Sequence, residues 1–273
     1  MSSSFVEVEA GVRLHVQDFG AGPPVLLLAG LGLDHEVWDG QIRDLGRRHR
    51  VLTVDLRGTG YSDKPLEGYG MDRMVADVAS VLVRLDLREV SLVGYSFGGQ
   101  IGLALAAAHP ERLRRLILVC SNGVRASHSE AFPYGRPPEV SEKAAIRAER
   151  AGRPAARRAS VLRGFHRDPD PDLLDWLVRC QLRAPSWSII ECFHTYLHTD
   201  LTAELTALRV PLRQVVGAQD PVTAIDGAQW VQQRARDAGV DARLVAIEDC
   251  GHFPMFEAPE QFDAALSDFL GEC

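Results

Sequence analysis

The chain has 273 residues, of which 46% are hydrophobic and 25% charged, and this composition excludes the disordered and fibrous classes of protein. With 37 acidic and 30 basic residues, the formal charge of -7 argues against a general nucleic-acid-binding surface. Residues 1–11 contain neither the basic nor the apolar segment of a secretory signal. The longest apolar run, residues 25–33, is far shorter than the about 20 residues of a membrane span. We therefore expect a soluble, cytoplasmic protein that binds neither nucleic acid nor membranes.

The first predicted element is a β-hairpin, because residues 5–9 and 13–19 alternate apolar and polar side chains around a turn. The strands that follow are continuous apolar runs, a pattern typical of strands that helices cover on both faces. These runs are residues 24–29, 51–56, 90–94, 116–119, 212–216 and 243–247. Helical patterns cover residues 71–85 and 97–108. Strands and helices in this order predict an α/β fold with a parallel sheet.

The regular strand spacing stops after residue 119 and resumes only at residue 212. We predict that residues 122–208 form a helical cap, with helices at about 140–163 and 171–182. The core domain then consists of residues 1–121 and 209–273. Residues 142–167 contain eight Lys or Arg and two acidic residues. This basic segment is either a solvated face or a contact for an anionic partner such as an acyl carrier protein.

A candidate nucleophile lies in Gly94-Tyr95-Ser96-Phe97-Gly98, between a predicted buried strand and a helix of small residues. A GxSxG nucleophile elbow needs this strand, turn and helix context. The serine of such an elbow has a strained backbone, and its flanking glycines let the strand and the helix approach without Cβ clashes. The pentapeptide alone could be a glycine-rich packing turn with a helix-capping serine. Its setting favours Ser96 as a nucleophile.

A serine nucleophile needs a base, and the base needs a carboxylate to orient it. His252 follows the predicted strand 243–247, and Asp220 follows the predicted strand 212–216. Both side chains are therefore expected at the carboxyl edge of the sheet together with Ser96. The chain order serine, aspartate, histidine is that of α/β-hydrolases and differs from the orders in chymotrypsin and subtilisin.

Two backbone amides are candidates for an oxyanion hole. The segment Ala29-Gly30-Leu31-Gly32 follows the first buried strand, and its glycines allow the Leu31 amide to face the serine. The Phe97 amide, next to the nucleophile, is the second predicted donor. For the first segment, an ordinary turn between a strand and a helix is the alternative.

No metal site is predicted from the spacing of cysteine and histidine. His194 and His198 are four residues apart and could form a metal-binding pair, but no third ligand is evident in the sequence. The cysteines are scattered without CxxC spacing, which favours free thiols in a reducing compartment. They are Cys120, Cys180, Cys192, Cys250 and Cys273.

Taken together, these motifs resemble the α/β-hydrolase superfamily, in its cap-bearing group of small bacterial esterases and lactonases. The likeness covers nearly the whole chain outside the cap. It is carried by residues 30–32, Trp38, residues 55–62, the Ser96 elbow, residues 217–220 and residues 251–253. The resemblance implies a mostly parallel eight-stranded sheet with a helical cap after strand six, an acyl-serine intermediate and no cofactor. It also implies structural roles for Asp55, Arg57 and Ser62, which would brace loops beneath the site.

The leading interpretation is a serine hydrolase that cleaves a carboxylic ester or lactone of a small, mainly apolar substrate. A serine at the elbow argues against haloalkane dehalogenases and epoxide hydrolases, which use an aspartate there. A thioesterase, an acyltransferase or a C–C bond hydrolase is an alternative, and so is a ligand-binding pseudoenzyme. Substrate contacts are predicted for Gly30, Tyr95, Phe132, Trp187 and Phe253. Three more cap aromatics could line the pocket or form the cap core: Trp176, Phe193 and Tyr196.

Overall fold

The computed structural model describes residues 2–272, which form a single eight-stranded sheet flanked by helices. The strands are β1 (Ser2–Glu9), β2 (Val12–Gly20), β3 (Pro24–Leu28), β4 (Arg50–Val54), β5 (Val90–Tyr95), β6 (Leu113–Val119), β7 (Leu212–Gly217) and β8 (Ala242–Ile247). Their order in the sheet is β1-β2-β4-β3-β5-β6-β7-β8. Of the strand pairs within residues 2–272, only β1/β2 and β2/β4 are antiparallel. The predicted hairpin and the mostly parallel sheet are therefore confirmed.

Ten α-helices connect or follow these strands within residues 2–272. They are α1 (Asp39–Leu45), α2 (Met71–Arg84), α3 (Phe97–Ala108), α4 (Pro138–Gly164), α5 (Pro171–Leu182), α6 (Ser186–His198), α7 (Thr202–Thr206), α8 (Ile225–Asp237), α9 (Pro254–Glu257) and α10 (Pro259–Gly271). In this part of the chain, no helix is both long enough and apolar enough to cross a membrane.

Both faces of the central strands are covered, which explains their continuous apolar runs. In β3, Leu26 and Leu28 pack into one hydrophobic cluster, while Val25 and Leu27 pack into the other cluster. Successive side chains of a strand point to opposite faces, so a strand between two helical layers needs apolar residues at every position. β5 and β7 are buried along their whole length for the same reason.

A helical cap is inserted after strand β6, and its helices are α4 to α7. The predicted boundaries of the cap at residues 122 and 208 stay a prediction. Helix α4 was expected to be continuous, but its backbone is non-helical at Gly152, and Pro154 lies two residues further on. Proline lacks an N–H donor and its ring clashes with the carbonyl four residues earlier, so it interrupts a helix. Across this break, Arg157 and Glu149 form a buried ion pair of 2.7 Å.

The cysteines described by the structure, at positions 120, 180, 192 and 250, are buried free thiols. Cys273 lies outside the described residues. Burial disfavours the charged thiolate, which raises the pKa of Cys250 to about 12. These side chains therefore behave as small apolar residues of the interior.

A buried ion pair fixes the long loop after β4 to the first strand and to α2. Arg57 is 1% exposed and donates two hydrogen bonds to Asp77, at 2.6 and 2.9 Å, and one to Glu9 at 2.8 Å. Burial opposes the charge of the guanidinium, but these carboxylates outweigh it and raise the pKa of Arg57. The family resemblance implied a structural role for Arg57, and these contacts are what such a role requires.

We expect Arg57→Ala to reduce the free energy of unfolding by up to about 3–5 kcal/mol, because the substitution leaves the buried Asp77 carboxylate with only the partly exposed Arg73 as a charged partner. Urea denaturation measures this loss. Arg43→Ala, which removes an exposed arginine paired with exposed Asp44, is the matched control and should unfold close to the wild type. Equal stability of both variants would contradict a structural role for the buried pair.

Candidate active site

Ser96 lies at a sharp turn between β5 and α3. Its backbone has φ 52° and ψ -115°, a conformation that a residue with a Cβ adopts only when its surroundings enforce it. The Ser96 amide donates to the Val119 carbonyl at 2.9 Å, and the Ser96 carbonyl accepts from the Ser121 hydroxyl at 2.7 Å. Strand β6 and the residues after it therefore hold the strained turn in place.

The two glycines of the elbow are required by space. A Cβ atom at Gly94 would lie 2.5 Å from the Gly98 carbonyl oxygen, and one at Gly98 would lie 2.6 Å from the Ala29 carbonyl oxygen. These obstacles are backbone atoms, so they cannot move aside like the end of a flexible side chain. The end of β5 thus packs directly against the start of α3, and the start of α3 packs against the end of β3.

The three residues predicted to act together converge at one edge of the sheet. The His252 imidazole lies 3.1 Å from the Ser96 hydroxyl through Nε2 and 2.8 Å from the Asp220 carboxylate through Nδ1. When Nδ1–H donates to Asp220, the neutral ring leaves Nε2 free to accept the serine proton. The second Asp220 oxygen accepts from the backbone amides of Val222 and Thr223, at 2.7 and 2.9 Å. The carboxylate is therefore fixed in orientation as well as buried.

The loop that carries His252 is held by the cap. The His252 amide donates to the Gly164 carbonyl, at the end of α4, at 2.7 Å. Glu257 accepts from the Phe253 amide at 3.0 Å and from the His166 amide, in the segment after α4, at 2.8 Å. A displacement of the end of α4 would therefore move the imidazole.

The segment predicted as one wall of an oxyanion hole lies against the elbow. A Cβ atom at Gly30 would lie 3.0 Å from the Tyr95 ring and 3.2 Å from the Ser96 Cβ, so glycine permits this close approach. Among the hydrogen bonds of residues 2–272, no group of the protein accepts from the Leu31 amide or the Phe97 amide. Two backbone donors therefore remain free beside the serine.

Asp55 connects the loops beneath this segment. Its carboxylate is fully buried and accepts from the backbone amides of His35 at 2.8 Å and Tyr61 at 2.9 Å. Burial alone would raise the pKa of Asp55, but the hydrogen bonds from His15 and His35 outweigh it and hold the pKa well below its usual range. The Ser62 hydroxyl contacts the Asp55 carbonyl oxygen at 2.5 Å. These contacts tie the loop after β4 to the loop after β3.

Three of the five predicted substrate contacts lie next to the catalytic candidates. Gly30 lies against Ser96, and the rings of Tyr95 and Phe253 lie 5.2 and 5.8 Å from the His252 ring. However, Tyr95 is only 1% exposed, and burial raises the pKa of its phenol. Tyr95 and Phe253 thus support the imidazole from the core side.

The other two predicted substrate contacts have different neighbours. Phe132 is fully buried, with its ring in edge contact with Tyr134 and Trp230. Trp187 is 44% exposed, and its indole N–H donates to the Pro65 carbonyl at 3.1 Å. Among the ring pairs of the described residues, neither ring is paired with His252. The Phe132 ring therefore packs in the apolar core, and the Trp187 indole is hydrogen-bonded to the loop before α2.

Tyr196 on α6 is the cap aromatic that faces the nucleophile, and the sequence did not distinguish it from the other aromatics. Its ring lies 5.5 Å from the Phe97 ring, and its phenol is directed to the Ser96 hydroxyl. Burial raises the pKa of Tyr196 to about 12, so the phenol is neutral at pH 7. Trp176 instead donates to Glu36 at 3.1 Å and packs on Phe256.

Comparisons with known proteins agree with this architecture. Residues 23–259 match the family model of the alpha/beta hydrolase fold. The AB hydrolase superfamily protein YisY of Bacillus subtilis is 30% identical over 268 residues, which are 97% of this chain and 98% of YisY. A pimeloyl-[acyl-carrier protein] methyl ester esterase of Nitrosomonas europaea is 32% identical over 253 residues, covering 91% of this chain and 96% of that protein.

Among solved structures, an esterase (EaEST) from Exiguobacterium antarcticum superposes with a TM-score of 0.94 at 25% identity, covering 99% of this chain and 100% of the esterase. The chain belongs to the α/β-hydrolase fold family. It is a hydrolase enzyme, as its fold and its esterase-named relatives establish.

We expect Gly98→Ala to lower the free energy of unfolding by about 1–3 kcal/mol, because the new methyl group overlaps the carbonyls of Leu28 and Ala29. The measurement is equilibrium unfolding in urea. Gly40→Ala in α1 is the matched control: a Cβ there meets nothing within 4 Å, and alanine favours the helix by up to about 1 kcal/mol. The interpretation fails if the Gly98 variant is as stable as the control.

Proposed function

We propose that the protein hydrolyses a carboxylic ester or lactone of a small, mainly apolar substrate through an acyl-serine intermediate. The observation that carries this proposal is the hydrogen-bonded chain from Ser96 through His252 to Asp220, next to two free backbone amides. This arrangement has the nucleophile, the base, the orienting carboxylate and the oxyanion donors that acyl transfer needs. No cofactor is required for this chemistry.

In the proposed first step, the Ser96 hydroxyl attacks the substrate carbonyl while His252 Nε2 takes its proton. Asp220 holds the imidazole in the required tautomer and stabilises the imidazolium. The negative charge that develops on the carbonyl oxygen is stabilised by the Leu31 and Phe97 amides. Loss of one such donor typically costs about 2.7–4 kcal/mol of transition-state stabilisation.

In the second half of the reaction, His252 gives its proton to the leaving alcohol and then activates a water molecule. The water attacks the acyl-serine ester, and the carboxylic acid leaves as Ser96 recovers its proton from the imidazole. For a lactone, the leaving alcohol stays attached to the acyl group, so the product is a hydroxy acid. The same residues serve both substrates because the carbonyl chemistry is identical.

The surroundings of Ser96 favour a small, apolar acyl group. Ser96 and His252 are only 5% and 6% exposed, so a substrate enters a site that the cap largely covers. Apolar and aromatic side chains approach the elbow from two sides, with Phe97 and Tyr196 in edge contact and Ile189 of α6 against Gly32. Water exclusion by such groups strengthens the electrostatic interactions of the reacting atoms.

Ser96→Ala should lower kcat/KM for p-nitrophenyl esters by at least about 10³-fold, because the nucleophile is lost while the fold is kept. Hydrolysis rates for a series from acetate to decanoate, with wild type and variant side by side, measure this effect and size the acyl pocket. Ser80→Ala is the control, since the Ser80 hydroxyl bonds only the Ala76 carbonyl of its own helix.

Titration with a fluorophosphonate separates this enzyme from a ligand-binding protein that only keeps the pocket. An activated Ser96 should be labelled to one equivalent, and labelling should be absent in Ser96→Ala. If the wild type is neither labelled nor active on any ester of the series, a binding function replaces the proposed hydrolysis.

A second candidate, action on a substrate carried by an acyl carrier protein, is favoured by the surface of α4. Lys143, Arg147 and Arg150 are exposed and spaced four and three residues apart, so they share one face of the helix. Other basic side chains of the segment are already paired, including Arg157 with Glu149 and Arg158 with Asp175. The relative from Nitrosomonas europaea is named for an ester of an acyl carrier protein.

Replacing Lys143, Arg147 and Arg150 by glutamate tests this candidate. If an anionic carrier docks on α4, kcat/KM for a carrier-linked methyl ester should fall by about 10-fold or more, while kcat/KM for the free methyl ester stays unchanged. Added salt should weaken the wild-type reaction with the carrier in the same selective way. If the wild type and the triple variant each hydrolyse free and carrier-linked esters equally well, docking of an acyl carrier protein on α4 is excluded.

A further inference from the structure

A cluster of three ligand-type side chains lies in the cap, outside the candidate active site. Glu142 of α4 is hydrogen-bonded to two histidines of α6: one carboxylate oxygen lies 2.7 Å from His194 Nδ1, and the other lies 3.1 Å from His198 Nε2. The sequence prediction of no metal site rested on the lack of a third ligand for this histidine pair. The fold supplies that ligand from a residue 52 positions before His194.

The helix geometry places the cluster away from the reacting atoms. His194 and His198 are one turn apart on α6, and their rings stack with centroids 4.4 Å apart. Tyr196 lies halfway between them in sequence and therefore points from the opposite side of the helix, where it faces Ser96. The histidine face of α6 is directed to α4, and the tyrosine face is directed to the nucleophile.

We propose that Glu142, His194 and His198 bind a divalent transition-metal ion, of which Zn²⁺ is the best match. Two imidazoles and one carboxylate are a donor set that Zn²⁺ accepts, with a water molecule as the fourth ligand. One donor atom from each of the three side chains lies within 4.8 Å of the other two. Tetrahedral coordination with bonds of about 2.0–2.2 Å requires donors about 3.3–3.6 Å apart, so small side-chain rotations complete the site.

The exposure of the cluster permits both the rotations and the entry of the ion. The side chains of Glu142, His194 and His198 are 21%, 54% and 34% exposed. Glu142 is one of only two acidic residues in the basic segment 142–167, and the other, Glu149, is committed to Arg157. Within this segment, Glu142 is therefore the carboxylate that is not paired with an arginine, and it contacts both histidines.

Such an ion would join α4 to α6 on the outer side of the cap. The end of α4 holds the His252 loop through the Gly164 carbonyl, and α6 places Tyr196 at Ser96. The ion would thus fix α6 to the part of α4 before the break at Gly152, and the Arg157–Glu149 ion pair links that part to the one that ends at Gly164. The binding itself does not depend on the proposed reaction, because none of the three ligands takes part in it.

Isothermal titration of tag-free, metal-stripped protein with Zn²⁺ tests the site. We expect one equivalent to bind, with affinity reduced at least 10-fold in His194→Ala, His198→Ala and Glu142→Gln. At 100 times the wild-type Kd, Zn²⁺ should raise the Tm of the wild type by about 5–10 °C and the Tm of the histidine variants by no more than about half as much. The Tm of each variant without metal reports whether it is folded.

His252→Ala is the matched control, because His252, Asp220 and Cys120 also bring three donor atoms together. This variant should keep the full affinity for Zn²⁺. The proposal is overturned if His252→Ala loses the binding while the α6 variants keep it, since the ion would then occupy the candidate active site. It is also overturned if the wild type binds no Zn²⁺ at 1 mM, about the weakest affinity that a specific site would show.

Discussion

The structure depends on a steric constraint at one point: β5, α3 and the end of β3 meet at Ser96 more closely than side chains would allow. Gly94 and Gly98 have no space for a methyl group, because the carbonyls of Gly98 and Ala29 occupy it. The result is a serine with φ 52°, held by hydrogen bonds from strand β6 and its following loop. The packing of the parallel sheet maintains this strained backbone conformation. The sharp turn places the Ser96 hydroxyl beyond the ends of the strands.

The sheet order then decides which loops reach this hydroxyl. β3 lies beside β5, so the loop with the free Leu31 amide is next to the elbow. The loops after β7 and β8, on the other side of β5, bring Asp220 and His252 to the same edge because all these strands are parallel. Ligands of open α/β sheets bind at this carboxyl edge for the same topological reason. The cap closes the edge by contacts to both sides, through Gly164 to the His252 amide and through Arg183 to Asp34 at 2.7 Å.

Much of this core could be predicted because its signals are local. A strand buried on both faces must be apolar at every position, and a turn after it needs glycine or a short polar residue, so Ser96, Asp220 and His252 each stood directly after a recognisable run. The cap was harder to predict. Its helix α5 matched the expected bounds, residues 171–182, but α6 was not predicted, and the break in α4 at Gly152 and Pro154 was missed. Cap helices rest on a partly polar surface, which weakens their apolar periodicity.

By itself, the sequence determined the class of fold, the position of the strained serine and the two residues that we propose activate it. These features follow from spacing over a few residues, where backbone geometry leaves few alternatives. Only the tertiary structure decided that Tyr196 is the cap aromatic beside Ser96, that Phe132 is fully buried, and that Glu142 lies between His194 and His198. The carboxylate and the two imidazoles are 52 and 56 residues apart in the chain. No local pattern encodes such a distance, because it depends on how two helices pack after the chain between them has folded.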